Sequence, residues 1–311
     1  MPDEAKSYSQ IRKDFYEKYT NKIVPLVQKH ENSRKNKLCI AIITSCAFFI
    51  LASLVLYLCI INPPKRLKGP GELIIMLYSL SYFSWFWIKK DFENSIKEKI
   101  MPTVCRCFGD MKWSQGSYSE STVFSTSYVI PNFTSAEYDD IFKGSYNDVN
   151  IEIVESEYIK GSGKYQSTVF DGVIIKLDMN KPFKGNTIIK PSGLIHTSPS
   201  SSLHRTELED VEFNKQFDVY TNDDVEARYL ITPSFMERLK NVKTAFSASS
   251  VSCAFYLKYL IVALPTSKDL FSICSLVKSI DDNKQYFQMY EEIVSIIKLI
   301  DHFKLNQKIG L

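Results

Sequence analysis

Apolar residues dominate positions 38–61, a run of 24 with no charged side chain. As a helix rising 1.5 Å per residue, such a run extends about 36 Å, enough to cross a bilayer hydrocarbon core of about 30 Å. A second apolar run, 73–88, follows a short polar connection at 62–72, and the pair predicts a helical hairpin. The second run spans only about 24 Å as a helix. Tyr82, Trp85 and Trp87 leading into Lys89 and Lys90 nevertheless supply the aromatic and basic anchor of a membrane interface. The alternative, a re-entrant or interfacial second helix, places the C-terminal region across the membrane from the N-terminus.

Outside these runs the periodicity changes twice. Ile11, Phe15 and Tyr19 recur at helical spacing among charged residues, which predicts an amphipathic helix ending near Pro25. The segment after the second run echoes it: Phe15, Lys22-Ile23 and Pro25 correspond to Phe92, Lys99-Ile100 and Pro102, and the Phe-to-Pro spacing is ten in both. From Asp148 onward Val149, Ile151 and Ile153 alternate with polar residues, predicting a strand that turns at Gly161-Ser162-Gly163. Positions 168–177 read as a β-rich run broken at Asp171-Gly172, 187–189 as a shorter strand, and 192–202 as a surface loop. Positions 226–231 read as an extended segment, 233–242 as a helix with Pro233 in its first turn and Phe235, Met236 and Leu239 inward, and 247–264 as a two-strand hairpin. Helical patterns close the chain at 270–277 and 286–303.

These elements define an α+β class: a two-helix N-terminal transmembrane hairpin, then one soluble domain with a mostly antiparallel sheet and C-terminal helices. The expected boundaries are 1–37 for the amphipathic helical segment, 38–88 for the hairpin, 89–111 for a membrane-proximal helix and 112–311 for the soluble domain. About 200 residues suffice for a hydrophobic core. For orientation, Lys29, Arg34, Lys35, Lys37, Lys89, Lys90, Lys97 and Lys99 flank the two runs on the terminal side, against Lys65, Arg66 and Lys68 in the connection. That excess predicts that both termini are cytoplasmic.

Composition narrows the chemistry. The net charge of +3 is spread along 311 residues, so nothing points to nucleic acid. Cys39, Cys46 and Cys59 lie in the first apolar run and Cys105, Cys107, Cys253 and Cys274 are scattered, which is not a disulfide framework. Cys105-x-Cys107 lacks a second ligand pair for zinc, and His30, His196, His204 and His302 stand apart, so no metal and no cofactor is expected. The loop Lys160-Gly161-Ser162-Gly163-Lys164 lacks the spacing of a phosphate cradle and reads as a hairpin turn. The serines of 198–202 beside His196 and His204 offer hydrolase side chains, but a polar loop accounts for the same residues.

The densest charge among apolar residues lies at Asp223, Asp224, Glu226 and Arg228, followed by Glu237 and Arg238. Structural ion pairs between Glu226 and Arg228, and between Glu237 and Arg238, are the favoured reading. Asp223, Asp224, Glu226 and Arg228 are also the only weak candidates for catalysis. This stretch, from Phe213 and Phe217 through Val225-Glu226-Ala227-Arg228-Tyr229, Thr232-Pro233 and Met236-Glu237-Arg238-Leu239, resembles the bacterial DUF3137 family of uncharacterised membrane proteins. Asp178-Met179-Asn180-Lys181-Pro182-Phe183-Lys184-Gly185-Asn186-Thr187 and Lys268-Asp269-Leu270-Phe271 look like two further stretches of it. The resemblance implies a bacterial inner-membrane protein with two spans and one soluble domain, and brings no activity, substrate or catalytic residue with it. The expectation is therefore a membrane-tethered, non-enzymatic binding or scaffold protein, in contact with lipid and with a protein partner at the cytoplasmic face. The rival is an enzyme acting on a membrane-associated substrate through 223–228. The oligomeric state is left open.

Overall fold

The computed structural model describes residues 8–63, 68–108, 110–146, 148–193, 198–268, 270–271, 273, 275–279 and 284–307. The chain divides into two compact units, one made of Tyr16–Val104 and Ser272–Gln285, the other of Met1–Phe15, Cys105–Phe271 and Tyr286–Leu311.

Helix α1 (Tyr8–Lys18), which passes from the sheet-bearing unit into the first unit after Phe15, runs through a π-helical turn, Tyr19–Ile23, directly into α2 (Val24–Ile61). Pro25 thus does not end the helix, as its sequence position suggested. The wider π turn lies just ahead of it and carries the helix past Pro25 into α2. Helix α3 (Lys68–Cys105) returns antiparallel and contains Pro102. The sequence echo has a structural counterpart: Phe15, Ile23 and Val27 are buried, and so are Phe92, Ile100 and Val104.

Both helices are long and apolar enough to cross a membrane. Their large side chains face outward, Ile43, Ile50, Ile75 and Trp87 each being more than 60% exposed, whereas Ala41 and Ala52 are buried. Small hydroxyl residues join the pair. Ser81 Oγ donates to the Ser45 carbonyl at 2.8 Å, Ser45 and Ser84 share a bond of 3.0 Å, and Ser53 meets the Tyr78 hydroxyl at 3.2 Å. Apolar outside and small or polar between the helices is the pattern of helices packed in lipid, the inverse of a soluble core helix.

The second unit is built on a nine-stranded sheet, every pairing antiparallel. In chain order the strands are β1 (Lys112–Gln115), β2 (Ser135–Tyr146), β3 (Val149–Lys160), β4 (Ser167–Asp178), β5 (Thr187–Pro191), β6 (His204–Thr206), β7 (Phe217–Thr221), β8 (Ser252–Tyr256) and β9 (Tyr259–Pro265). They lie in the order β1-β2-β3-β4-β9-β8-β5-β7-β6. Helices α4 (Ser121–Thr126), α5 (Val211–Gln216), α6 (Asp224–Leu230), α7 (Pro233–Ala245) and α8 (Lys284–Gln307) complete the unit.

Register explains the core. Phe142, Ile153, Ile175, Val262, Cys253, Ile189 and Val219 stand opposite one another across seven strands, all buried on one face. Here α7 brings Phe235 against Phe255, with ring centroids 5.4 Å apart. On the other face Tyr118, Phe124, Val129, Ile130 and Leu203 cover Ile141, Val154, Tyr158, Ile174, Ile188 and Ala254.

Several expectations hold. The turn after β3 carries Gly161 and Gly163 at positive φ, α7 has Pro233 in its first turn with Phe235, Met236 and Leu239 buried, and β8 and β9 form the expected hairpin. Others are corrected. Asp171-Gly172 does not break β4: Gly172, at φ +150°, lets the strand pass β9 so closely that a Cβ would lie 2.2 Å from the Leu264 carbonyl oxygen. Positions 226–231 are not extended, because Asp223 caps α6 there. The expected helix at 270–277 does not form, and α8 is the C-terminal helix among the described residues. Phe271 takes a left-handed φ of 58° that helices exclude. The Leu270 N–H, meanwhile, goes to the Glu155 carboxylate at 3.1 Å.

Candidate functional site

Among the acidic candidates, Asp223 is spent on local structure: its Oδ1 accepts the Glu226 N–H at 2.9 Å as the N-cap of α6. Glu226 in turn grips a neighbouring loop, its two oxygens accepting the N–H groups of Lys184 at 2.8 Å and Gly185 at 2.7 Å. Asn222 Oδ1 accepts the Asn186 N–H at 2.7 Å. Gly185 lies so close that a Cβ there would stand 2.6 Å from Asn222 Oδ1. The loop before β5 is thus pressed onto the start of α6, and two separate stretches that carry the family resemblance meet at this point.

Asp224 pairs with His204 Nε2 at 3.0 Å, and hydrogen bonds from Thr206 and then His204 hold its carboxyl below the usual range. Arg228 is exposed, and no ion pair joins it to Glu226 among the described residues. The helix accounts for this, because positions two apart share a face in a strand but not in a helix. Glu237 and Arg238, adjacent on α7, likewise form no pair among the described residues. In the serine-rich loop, Ser198 donates to the carbonyls of Ser200 and Leu203 at 2.6 and 2.8 Å, and Ser200 bonds Ser202 at 3.0 Å. His196, the Cys107 side chain and Cys274 lie outside the described residues.

A second charged group, unforeseen in the sequence, sits on the sheet itself. Lys143, Glu152 and Lys176 are directly opposite one another on β2, β3 and β4, and the same row continues as Ile261, Ala254, Ile188 and Tyr220. Lys176, only 3% exposed, bonds Glu120 and reaches Glu152 at 3.1 Å. Its ammonium lies 4.9 Å from the Tyr259 ring centroid. Tyr118 donates to Glu152 at 2.6 Å, and Lys143 stands 3.5 Å from the same carboxylate. Burial lowers the Lys176 pKa, but bonds and charge from Glu120 and Glu152 outweigh it and hold the ammonium above its ordinary range. The Lys176 hydrogen bond in turn draws Glu120 below its ordinary range. A lysine so held is a fixed cation, the opposite of the depressed pKa that a nucleophilic amine needs.

The sequence reading also passed over Asp139, Asp140 and Glu155, whose carboxylate oxygens lie within 4.8 Å of one another where β2 slips register against β3. Asp140 is fully buried and accepts the Trp113 indole N–H at 2.6 Å. This donor set has the chemistry of a divalent-cation site, with part of its capacity already spent on Trp113 and Leu270.

The architecture defines a class: a pair of helices long and apolar enough to cross a membrane, joined to an α+β unit with an antiparallel sheet. Residues 168–305 match the family model DUF3137, described as a protein of unknown function, and this bears out the resemblance read from 178–187, 213–239 and 268–271. One solved structure to which the chain shows a weak likeness is the crystal structure of the mycobacterial trehalose monomycolate transport factor A, TtfA. It is 12% identical, with a TM-score of 0.39, over 64% of this chain and 89% of that chain. Similarity at that level carries no functional argument. A search of curated proteins finds no match.

Proposed function

We propose that this chain is a membrane-tethered, non-enzymatic binding or scaffold protein that presents its α+β unit at the cytoplasmic face. The observation that carries the reading is the helix pair, with large apolar side chains outward and serines between the helices. The charged groups of the sheet unit support the non-enzymatic half: Asp223 and Glu226 cap a helix and fix a loop, and Lys176 is locked between carboxylates. Eight basic residues flank the runs on the terminal side against three in the connection, which favours cytoplasmic termini. Tethering raises the local concentration of the sheet unit near the membrane, so a modest affinity for a protein or lipid partner suffices.

Sidedness tests this. Reporter fusions in the 62–72 connection and after Leu311, each active on one side only, should place the connection outside and the C-terminus in the cytoplasm. A C-terminus on the outside sinks the cytoplasmic scaffold and makes the second helix non-spanning.

A further inference from the structure

Within the helical unit, one residue of the Ser272–Gln285 segment is held from two sides. The Leu276 carbonyl accepts Arg34 Nη1 of α2 at 2.8 Å, while the Leu276 N–H donates to Glu93 Oε1 of α3 at 3.3 Å. Leu276 itself is fully buried. Arg34, 7% exposed, is fixed in turn by Glu31, one turn before it on α2, through Nε at 2.9 Å and Nη2 at 2.7 Å. This bidentate pairing holds the guanidinium plane and limits how far it can follow a moving partner.

We infer that Arg34, Glu31 and Glu93 form a clamp on the Leu276 peptide that reads the spacing of the two helices. The inference rests on the membrane reading above and adds a regulatory element to it. Each of the two bonds comes from a different helix, so separating α2 from α3 must stretch one of them. The Glu93 bond is already near the limit of about 3.5 Å, beyond which a hydrogen bond is lost. Toward the chain's N-terminus the segment continues into Phe271, which packs against Phe142 with ring centroids 4.5 Å apart. Toward its C-terminus it continues into Tyr286, fully buried at the start of α8. In the sequence Arg34 reads only as one basic flank among several.

The test is hydrogen exchange by mass spectrometry on the full chain in nanodiscs, following the peptide that contains Leu276, with β4 and β9 peptides as controls for folding. Arg34→Gln should speed exchange at Leu276 at least tenfold with the strand peptides unchanged. Ser84→Leu, which overfills the helix contact without touching the clamp, should do the same. The unaltered protein serves as well: moving it from dioleoyl to dimyristoyl phosphatidylcholine changes hydrocarbon thickness and helix tilt, and exchange at Leu276 should change at least threefold. If Arg34→Gln has no effect, there is no clamp. If Arg34→Gln speeds exchange but neither Ser84→Leu nor the lipid change does, the clamp is a passive fastener and the coupling is overturned. Failure of the membrane reading would appear separately, as a chain that is not retained in the nanodisc.

Discussion

Replacing Glu292 by glutamine should remove a pH-dependent loss of stability from the sheet unit. Glu292 lies on α8 and is 1% exposed. Its Oε1 accepts Gln288 Nε2 at 3.0 Å, and its Oε2 has no hydrogen-bond partner among the described residues. Burial pushes the carboxyl up to about 7, with the Gln288 bond and the Lys268 charge pulling weakly the other way. In the unfolded chain the same group titrates at its ordinary 4.5. The folded state therefore binds the proton more tightly, and stability falls as pH rises through the interval from 4.5 to about 7. At about 1.4 kcal/mol per pH unit, the total loss is about 3 kcal/mol. Glutamine cannot ionise, so Glu292→Gln should show no such fall. Its amide brings its own pH-independent cost, so the informative quantity is the change with pH in the difference between the two proteins. Urea titrations followed by circular dichroism, on full-length protein in detergent between pH 5 and 8, should give a variant that gains about 2.5 kcal/mol relative to the parent across that range. Parallel pH profiles, or a relative loss as pH rises, would refute the reasoning.

Two further substitutions probe the sheet. Gly172→Ala should destabilise by at least about 3 kcal/mol in urea titration, because both the positive φ and the Leu264 carbonyl oppose a Cβ; Gly116→Ala, also at positive φ but with open space around it, should cost only about 1 kcal/mol. Lys176→Ala should cost about 3 kcal/mol by the same measurement, because it leaves the Glu152 carboxylate with Tyr118 and the more exposed Lys143 alone, and a loss under 1 kcal/mol would mean that the stripe is solvated.

Which parts of the fold were legible in sequence follows from the range of the interactions that decide them. The β3–β4 turn, the β8–β9 hairpin and the start of α7 were read correctly because each is signalled by neighbours: two glycines, a β-branched run, and Thr232 followed by Pro233. Strands β1 and β6 are only four and three residues long and form by pairing with β2 and β7, so local periodicity says nothing of them. In α6 the extended reading of 226–231 was misplaced. Val225 is 81% exposed, and the signal that decides the segment is the cap at Asp223.

The site residues divide along the same line. Asp223, Asp224, Glu226 and Arg228 attracted attention because they are close in sequence, yet Glu226 bonds Lys184 and Gly185 and Asp224 bonds His204 and Thr206, all supplied by other elements. The stripe on the sheet shows the converse, since Glu120, Lys143, Glu152 and Lys176 are spread over 57 residues and look unrelated until strand register brings them together. Register is set by the apolar row one residue away, from Phe142 and Ile153 to Ile175 and Val262: slipping β4 by one place would turn Lys176 into the face that now holds Ile175. The burial of that apolar row therefore fixes the position of the charged row, and the charges resist a slip in turn, because Lys176 moved to the opposite face would lose both carboxylates. The two rows specify one pairing between them, and this gives a structural reason for a buried lysine on the sheet.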